Sequence, residues 1–326
     1  MRKYSSAIAA ALLVSTATPA IAQNANSNVS ELVVFGDSLV DAGNTNTIFP
    51  VAANPANGYF DGRFTNGYNY PDLLSIDLFG APTVASLDGG TNFAYGGARI
   101  TSTTFIIPDL QEQIALFQGF LANGGSVDDD ALFILNFGGN DVFYAAQDGV
   151  PAGYASDSAY LSDAAAIYAQ AVLTLEGLGA SNFLVTGIPN PVPLGFEAEN
   201  YLLAELAGLD LNDDTVLNFF SYQDFFARLA NDPTQFGLPA DLNFDTNCQA
   251  AGAVPDCSGY FSFDGTHPTA AVQRAAYLEI QRQFGFSAAV PEPSTWGLLL
   301  LGFFAVAAAM RRRRAAQIRS VQVSFG

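Results

Sequence analysis

The chain has 326 residues, 12 Lys plus Arg against 31 Asp plus Glu, a net charge of −19, one histidine and two cysteines. Such acidity excludes nucleic acid as a partner, because phosphate binding needs a basic face, and two thiols without nearby histidines make a poor zinc site. Half of the residues are hydrophobic, so one large domain or two small ones can bury a core.

Residues 1–22 read as a secretory signal peptide: Arg2 and Lys3 give a positive start, Ala7 to Val14 an apolar run, and Ala20-Ile21-Ala22 a small-x-small cleavage site. Residues 23–30 form a polar leader. Leu32–Phe35 is a short apolar run followed by Gly36-Asp37-Ser38, which reads as a buried strand ending in a tight turn. Residues 42–70, rich in Asn, Gly, Pro and Tyr, read as a long loop. Tyr70–Leu78 has helical spacing, Asn92–Ala98 is small and glycine-rich, and Asp109–Leu121 is apolar at helical period. Leu132–Phe137 is a second buried strand, ending in Gly138-Gly139-Asn140-Asp141. Tyr160–Leu178 predicts a long amphipathic helix, Phe183–Ile188 a third strand stopped by Pro189, and Thr215–Leu229 another helix. Residues 231–262 form a long irregular stretch holding Cys248 and Cys257, and Ala270–Phe284 is the closing helix. At Val290–Arg314 a Pro-Glu-Pro segment, the apolar run Trp296–Met310 and four arginines follow in order. That run is 15 residues, short against the roughly 20 that span a bilayer comfortably, and the arginines favour the cytoplasmic side.

Without its two ends the chain is more acidic still: residues 23–290 hold five basic against 30 acidic residues, a balance of −25. That charge favours solubility outside the cell. Export to an oxidising compartment makes Cys248–Cys257 a plausible disulfide. Apolar strands alternating with helices predict an α/β sandwich around a parallel sheet.

In a parallel sheet functional groups collect at the carboxyl ends of the strands. Three polar turns follow strands or small-residue segments: Gly36-Asp37-Ser38, Tyr95-Gly96-Gly97-Ala98 and Gly138-Gly139-Asn140-Asp141. A serine hydroxyl needs a neighbouring base, and histidine suits that task near neutrality. His267 is the one histidine available, so histidine-assisted serine chemistry must use it. It sits in FDGTHPT, three residues after Asp264, where a carboxylate on the same turn can fix its tautomer. Asp37 and Asp141 read as turn and capping groups rather than second bases. Phe143, Tyr144, Phe261 and Phe263 are candidates for lining an acyl pocket.

FGDSLVDAGN, NFAYGGAR, GGND and DGTHPT, together with DGRFTNG at 61–67, resemble the signature blocks of the GDSL family of the SGNH hydrolase superfamily over residues 30–286. The resemblance implies a three-layer α/β/α sandwich of SGNH/flavodoxin-like type over residues 30–288. It implies Ser38 as nucleophile, Asp264 and His267 as acid and base, and an oxyanion site made by the Ser38 N–H, the Gly97 N–H and the Asn140 amide, with Gly96 the second choice to Gly97. Such a site cleaves esters by acyl transfer and needs no metal or cofactor.

The 290–314 segment resembles a PEP-CTERM sorting signal, which implies an exosortase-type processing enzyme as partner. The cell envelope or the exterior is then the expected location, with contact to the membrane only through this segment, transient or permanent. The expected substrates are esters: lipid, short acyl ester or acetylated glycan. An O-acetyl-polysaccharide deacetylase and a non-catalytic matrix protein are the other readings, and the presence of all five site residues speaks against the last.

Overall fold

The computed structural model describes residues 28–102, 106–148, 150 and 152–288; the expected signal peptide and the 290–314 segment lie outside them. Two residues of strand, Asn28–Val29 (β1), lead into Leu32–Gly36 (β2), every residue of which is buried. The long polar stretch that follows is not without structure. It holds a short helix, Asn44–Ile48 (α1), a 3-10 turn at Pro55–Asn57, and the start of Tyr70–Phe79 (α2). Asn69 caps α2 reciprocally with Asp72, and Pro71 fits the first turn, where a missing N–H costs nothing.

Leu110–Ala122 (α3) leads to Leu132–Asn136 (β3), Gly139–Asp148 (α4), Asp157–Glu176 (α5) and Asn182–Thr186 (β4). Helix α5 starts three residues before the expected Tyr160, because the Ser156 side chain accepts the Ala159 N–H and sets the cap there. Pro193–Ala207 (α6), which no local sequence expectation covers, precedes Val216–Phe220 (β5), Tyr222–Asn231 (α7), Ala270–Phe284 (α8) and Ser287–Ala288 (β6).

The single helix expected over Thr215–Leu229 is therefore corrected to a strand and a helix. Val216–Phe220 pairs in register with β4, Val185 opposite Phe219, and Ser221 ends the strand by capping α7 through its bond from the Asp224 N–H. The residues Val-Leu-Asn-Phe-Phe carry the β-branched and aromatic character of a strand, but the apolar period runs on into α7 and hides the break.

Strands β2, β3, β4 and β5 form one parallel sheet in that order. Their side chains alternate between two cores. Val33, Phe35, Phe133, Leu135, Phe183, Val185 and Leu217 pack with residues of α3, α4, α5 and α6. Val34, Ile134, Leu184 and Phe220 pack with residues of α2, α7 and α8. The result is the expected three-layer α/β/α sandwich.

On the free side of β2, residues 91–95 run beside it as a short extra rung: the Val34 N–H donates to Thr91 O, the Phe93 N–H to Val34 O and the Tyr95 N–H to Gly36 O. This rung carries Gly96 and Gly97 to the same end of the sheet as Ser38. Val29 pairs in parallel with Ala288, which joins the two ends of the described domain.

Candidate active site

Chain geometry delivers the serine first. Gly36, the last residue of β2, lies so close to β3 that an added Cβ would meet Asn136 O at 2.7 Å. The buried Gln113 side chain from α3 bonds both the N–H and the C=O of Gly36. Asp37 then turns the chain: its backbone C=O accepts the N–H groups of Val40 and Asp41, and its carboxylate accepts that of Leu39. Ser38 emerges half-buried at this turn.

The imidazole arrives from the other end of the sequence. Asp264 and His267 share one turn before α8, which Thr269 caps. The His267 C=O accepts the Phe263 N–H, and the Pro268 C=O accepts the Thr65 hydroxyl, so the turn is tied at its base. His267 Nε2 lies 2.8 Å from Ser38 Oγ, and its Nδ1 lies 2.7 Å from Asp264 Oδ2. Asp264 Oδ1 accepts the N–H groups of Thr266 and His267 at 2.9 and 2.8 Å. Burial pushes the Asp264 carboxyl up, but the bonds and charge of His267 outweigh it and hold the group down at about 2.

The two expected side contributors to an oxyanion site sit at neighbouring strand ends. Gly97 is exposed and left-handed, at φ +86°, where glycine is unstrained. Gly96 is buried, and its N–H is already given to Asp41 Oδ2 and Thr45 Oγ1. The Gly96 N–H is therefore committed within the fold. Asn140, in the first turn of α4, donates one amide hydrogen to Ala98 O at 2.8 Å; the amide carries a second.

Asp37 and Asp141 both do turn work. Asp141 accepts the Ile100 N–H, the Thr101 N–H and the Tyr160 hydroxyl, which ties α4 to the loop after Gly97. Burial, with the charges of Asp141 and Asp41, pushes the Asp37 carboxyl up to about 7, against the lowering effect of the Leu39 N–H.

A cleft of about 260 Å³ opens at Ser38 and His267, walled by Asn140, Phe143, Pro189, Asn190, Pro191, Phe226, Phe244, Phe261 and Thr266. Of the four aromatic candidates, Phe143 and Phe261 line it. Tyr144 instead lies under the Arg99 guanidinium at 4.0 Å, and Phe263 is fully buried in a small core beside Cys248 and Cys257; neither is among the cleft residues. Those two cysteines are bonded to each other across a separation of nine. Among the described residues no group of three or more His, Cys, Asp or Glu is placed to hold a metal, and no helix is long and apolar enough to cross a membrane.

Residues 32–280 match the GDSL-like lipase/acylhydrolase family, and residues 289–314 match the PEP-CTERM protein-sorting motif. The chain belongs to the GDSL-like lipase/acylhydrolase family. Membership in this family makes it an ester-bond hydrolase, and the PEP-CTERM motif marks it for export and membrane-associated sorting. A GDSL esterase/lipase of Arabidopsis thaliana is 26% identical, over 76% of this chain and 83% of its own length. An uncharacterised protein of Pseudomonas putida, from the trpE-trpG intergenic region, is 29% identical over 77% of this chain, which spans only 48% of that relative. Among solved structures, an acetylxylan esterase of Geobacillus stearothermophilus aligns with a TM-score of 0.44 and 16% identity, covering 81% of this chain and 98% of the esterase.

Sequence reasoning missed several groups in this GDSL-like site. Tyr59 donates its hydroxyl to Asp264 Oδ2 at 2.8 Å. The Phe64 ring lies 5.2 Å from the His267 ring, tilted by 35°. Phe64 stands in the DGRFTNG block and had a signal. Tyr59, two residues before that block, had none. Pro189, Asn190 and Pro191 follow β4, and their place after a strand end was the available clue.

Proposed function

We propose that this chain is an exported serine ester hydrolase that works through an acyl-Ser38 intermediate. The observation that carries this reading is the His267 imidazole, placed between Ser38 Oγ and Asp264 Oδ2 at 2.8 and 2.7 Å. With Asp264 ionised, Nδ1 carries the ring proton and Nε2 is free to accept one.

Ser38 Oγ attacks the ester carbonyl while its proton passes to His267 Nε2. The carbonyl oxygen becomes an oxyanion, for which this reading takes the Ser38 N–H, the Gly97 N–H and the second Asn140 amide hydrogen as donors; each such donor contributes about 3–4 kcal/mol to lowering the barrier. The C–O bond to the alcohol then breaks, and His267 gives its proton to the departing oxygen. Water, deprotonated by the same nitrogen, attacks the acyl-Ser38 carbonyl, and the second collapse releases the acid and restores the serine.

Because His267 protonates the leaving oxygen, the alcohol lies along the wall of its own loop, beside Phe261 and Thr266. There the Phe244 and Phe261 rings stack at 5.3 Å, and Phe244 is exposed. The cleft falls below the roughly 300–1,000 Å³ of sites for drug-sized ligands. Both facts favour a short acyl group on a ring-bearing alcohol, as in an O-acetylated glycan, over a long-chain lipid.

A p-nitrophenyl ester series tests both levels. Turnover that is highest for acetyl and falls at least about tenfold by octanoyl supports the short-acyl reading; a maximum at long chains overturns it. Turnover by Ser38→Ala at the wild-type rate overturns the acyl-Ser38 mechanism itself.

A further inference from the structure

Among the described residues, the Asp264 carboxylate takes four hydrogen-bond donors. Three come from its own turn: the N–H groups of Thr266 and His267 on Oδ1, and the imidazole on Oδ2. The fourth comes from the far end of the chain, the Tyr59 hydroxyl, which shares Oδ2 with the imidazole at 2.8 Å. Without Tyr59, only the imidazole itself, among the described residues, would hold the oxygen that must keep facing it.

What holds Tyr59 is equally specific. Its ring meets Phe263 edge-on at 5.0 Å, and Phe263 precedes Asp264. Just before Tyr59, the Gln249 side chain donates to Asn57 O at 2.8 Å. Gly58 is left-handed at φ +87°, and an added Cβ there would sit 2.5 Å from Val254 Cγ1. Gln249 and Val254 both belong to the loop closed by the Cys248–Cys257 disulfide. The same loop holds the other partner: the Cys248 N–H donates to Ser262 O and the Gln249 N–H to Phe263 O, the two carbonyls before Asp264. One disulfide-closed loop therefore grips both ends of the Tyr59–Asp264 bond.

We propose that Tyr59 is a positioning residue for this hydrolase, fixing the Asp264 carboxylate against His267, and that the Cys248–Cys257 loop is the frame that sets this bond. The proposal rests on the Ser38–His267–Asp264 reading and adds a group that reading does not require. Tyr59 keeps its proton throughout: the only proton in motion travels between Ser38, His267 and the substrate oxygens. Burial and the Asp264 charge together raise the Tyr59 hydroxyl above its ordinary value, so it stays a donor. When His267 takes the serine proton, the imidazolium needs Oδ2 in place, and Tyr59 supplies that placement in advance of the step.

Tyr59→Phe keeps the edge-on ring contacts with Phe263 and, at 6.3 Å, with Phe64, and deletes only the donor. The expected result is a kcat lowered about tenfold with KM within twofold of wild type. Asp264→Ala and Asp264→Ala/Tyr59→Phe are expected to turn over equally, because the tyrosine acts only through that carboxylate. Replacing both cysteines by alanine is expected to lower kcat in the Tyr59 background and to do so at least threefold less in the Tyr59→Phe background, with thermal melts confirming that each variant is folded. A wild-type kcat for Tyr59→Phe, a further loss on adding Tyr59→Phe to Asp264→Ala, or an equal effect of cysteine removal in both backgrounds overturns the proposal. Ser38→Ala measured beside them separates the two levels. If it is inactive while Tyr59→Phe is unaltered, only the role of Tyr59 falls; if it is active, the underlying reading falls first.

Discussion

Ser38 and His267 meet at 2.8 Å, yet they are held by different kinds of structure. The serine half stands on the sheet. Ser38, Gly97 and Asn140 follow β2, the rung beside it and β3, so strand register sets their spacing and two buried cores stand behind them. The acid–base half stands on irregular chain. Asp264 and His267 belong to a turn tied down by Thr65, Tyr59 and a loop closed by one disulfide. The first half depends on the whole fold, and the second can be loosened alone. Register is a cooperative property of many ladder bonds, whereas a loop owes its shape to a few side chains that can be removed one at a time.

The sharpest way to break this arrangement is at the meeting point. Ser38→Ala and His267→Ala are each expected to lower kcat by about 10⁴-fold or more, Ser38→Ala with thermal stability unchanged, as read by ester turnover and calorimetry. Asn140→Ala, on the serine half, is expected to lower kcat by about 10²–10³-fold with little change in KM.

The next contrast is in stability. Phe35→Ala opens a cavity between rings that now lie 5.6 to 6.5 Å apart, at Phe93, Phe117 and Phe133. It is expected to cost about 3–5 kcal/mol in chemical denaturation. Loss of the Cys248–Cys257 bond, which closes a span of nine residues, is expected to cost about 2–3 kcal/mol. In the two-halves picture the first lowers protection from hydrogen exchange throughout the sheet, and the second chiefly over 248–268.

The smallest effect is an acid-side one. Asp264 is held at about 2 in the folded chain against an ordinary 3.8, so its ionised form favours folding. A carboxylate lowered in this way contributes its stability above pH 3.8 and loses it as the pH falls toward 2. The contribution is on the order of 2 kcal/mol, for a side chain only 9% exposed. Melting curves at pH 6 and pH 2.5 should show a smaller acid loss for Asp264→Asn than for wild type.

The same division governs what could be read in the sequence. Strand-end turns advertise themselves, because an apolar run followed by Gly-Asp-Ser or Gly-Gly-Asn-Asp is a local pattern, and three of the four sheet strands were legible that way. Strand β5 was not, since its apolar residues merge with the period of α7 and only Ser221 marks the boundary. Helix α6 begins after a proline pair, and that punctuation concealed the helical run behind it. On the irregular half, a lone histidine three residues after an aspartate was visible. Tyr59 was not, because its partner lies 205 residues away and no local spacing encodes such a bond. Tyr144 and Phe263 mark the opposite error: proximity in sequence to a site block does not decide which way a ring points.

The short parallel pair of β1 and β6 gives the molecule a polarity. Val29 lies beside Ala288, and Ser30, next along the chain, bonds Asp130 O just ahead of β3, at the end of the sheet where the strands begin. Ser38 lies at the other end, past the five residues of β2. The sorting motif at 289–314 is therefore joined to the domain at the pole opposite the cleft. A cut or a tether applied at that junction grips the heel of the enzyme, and the mouth of the cleft faces the other way.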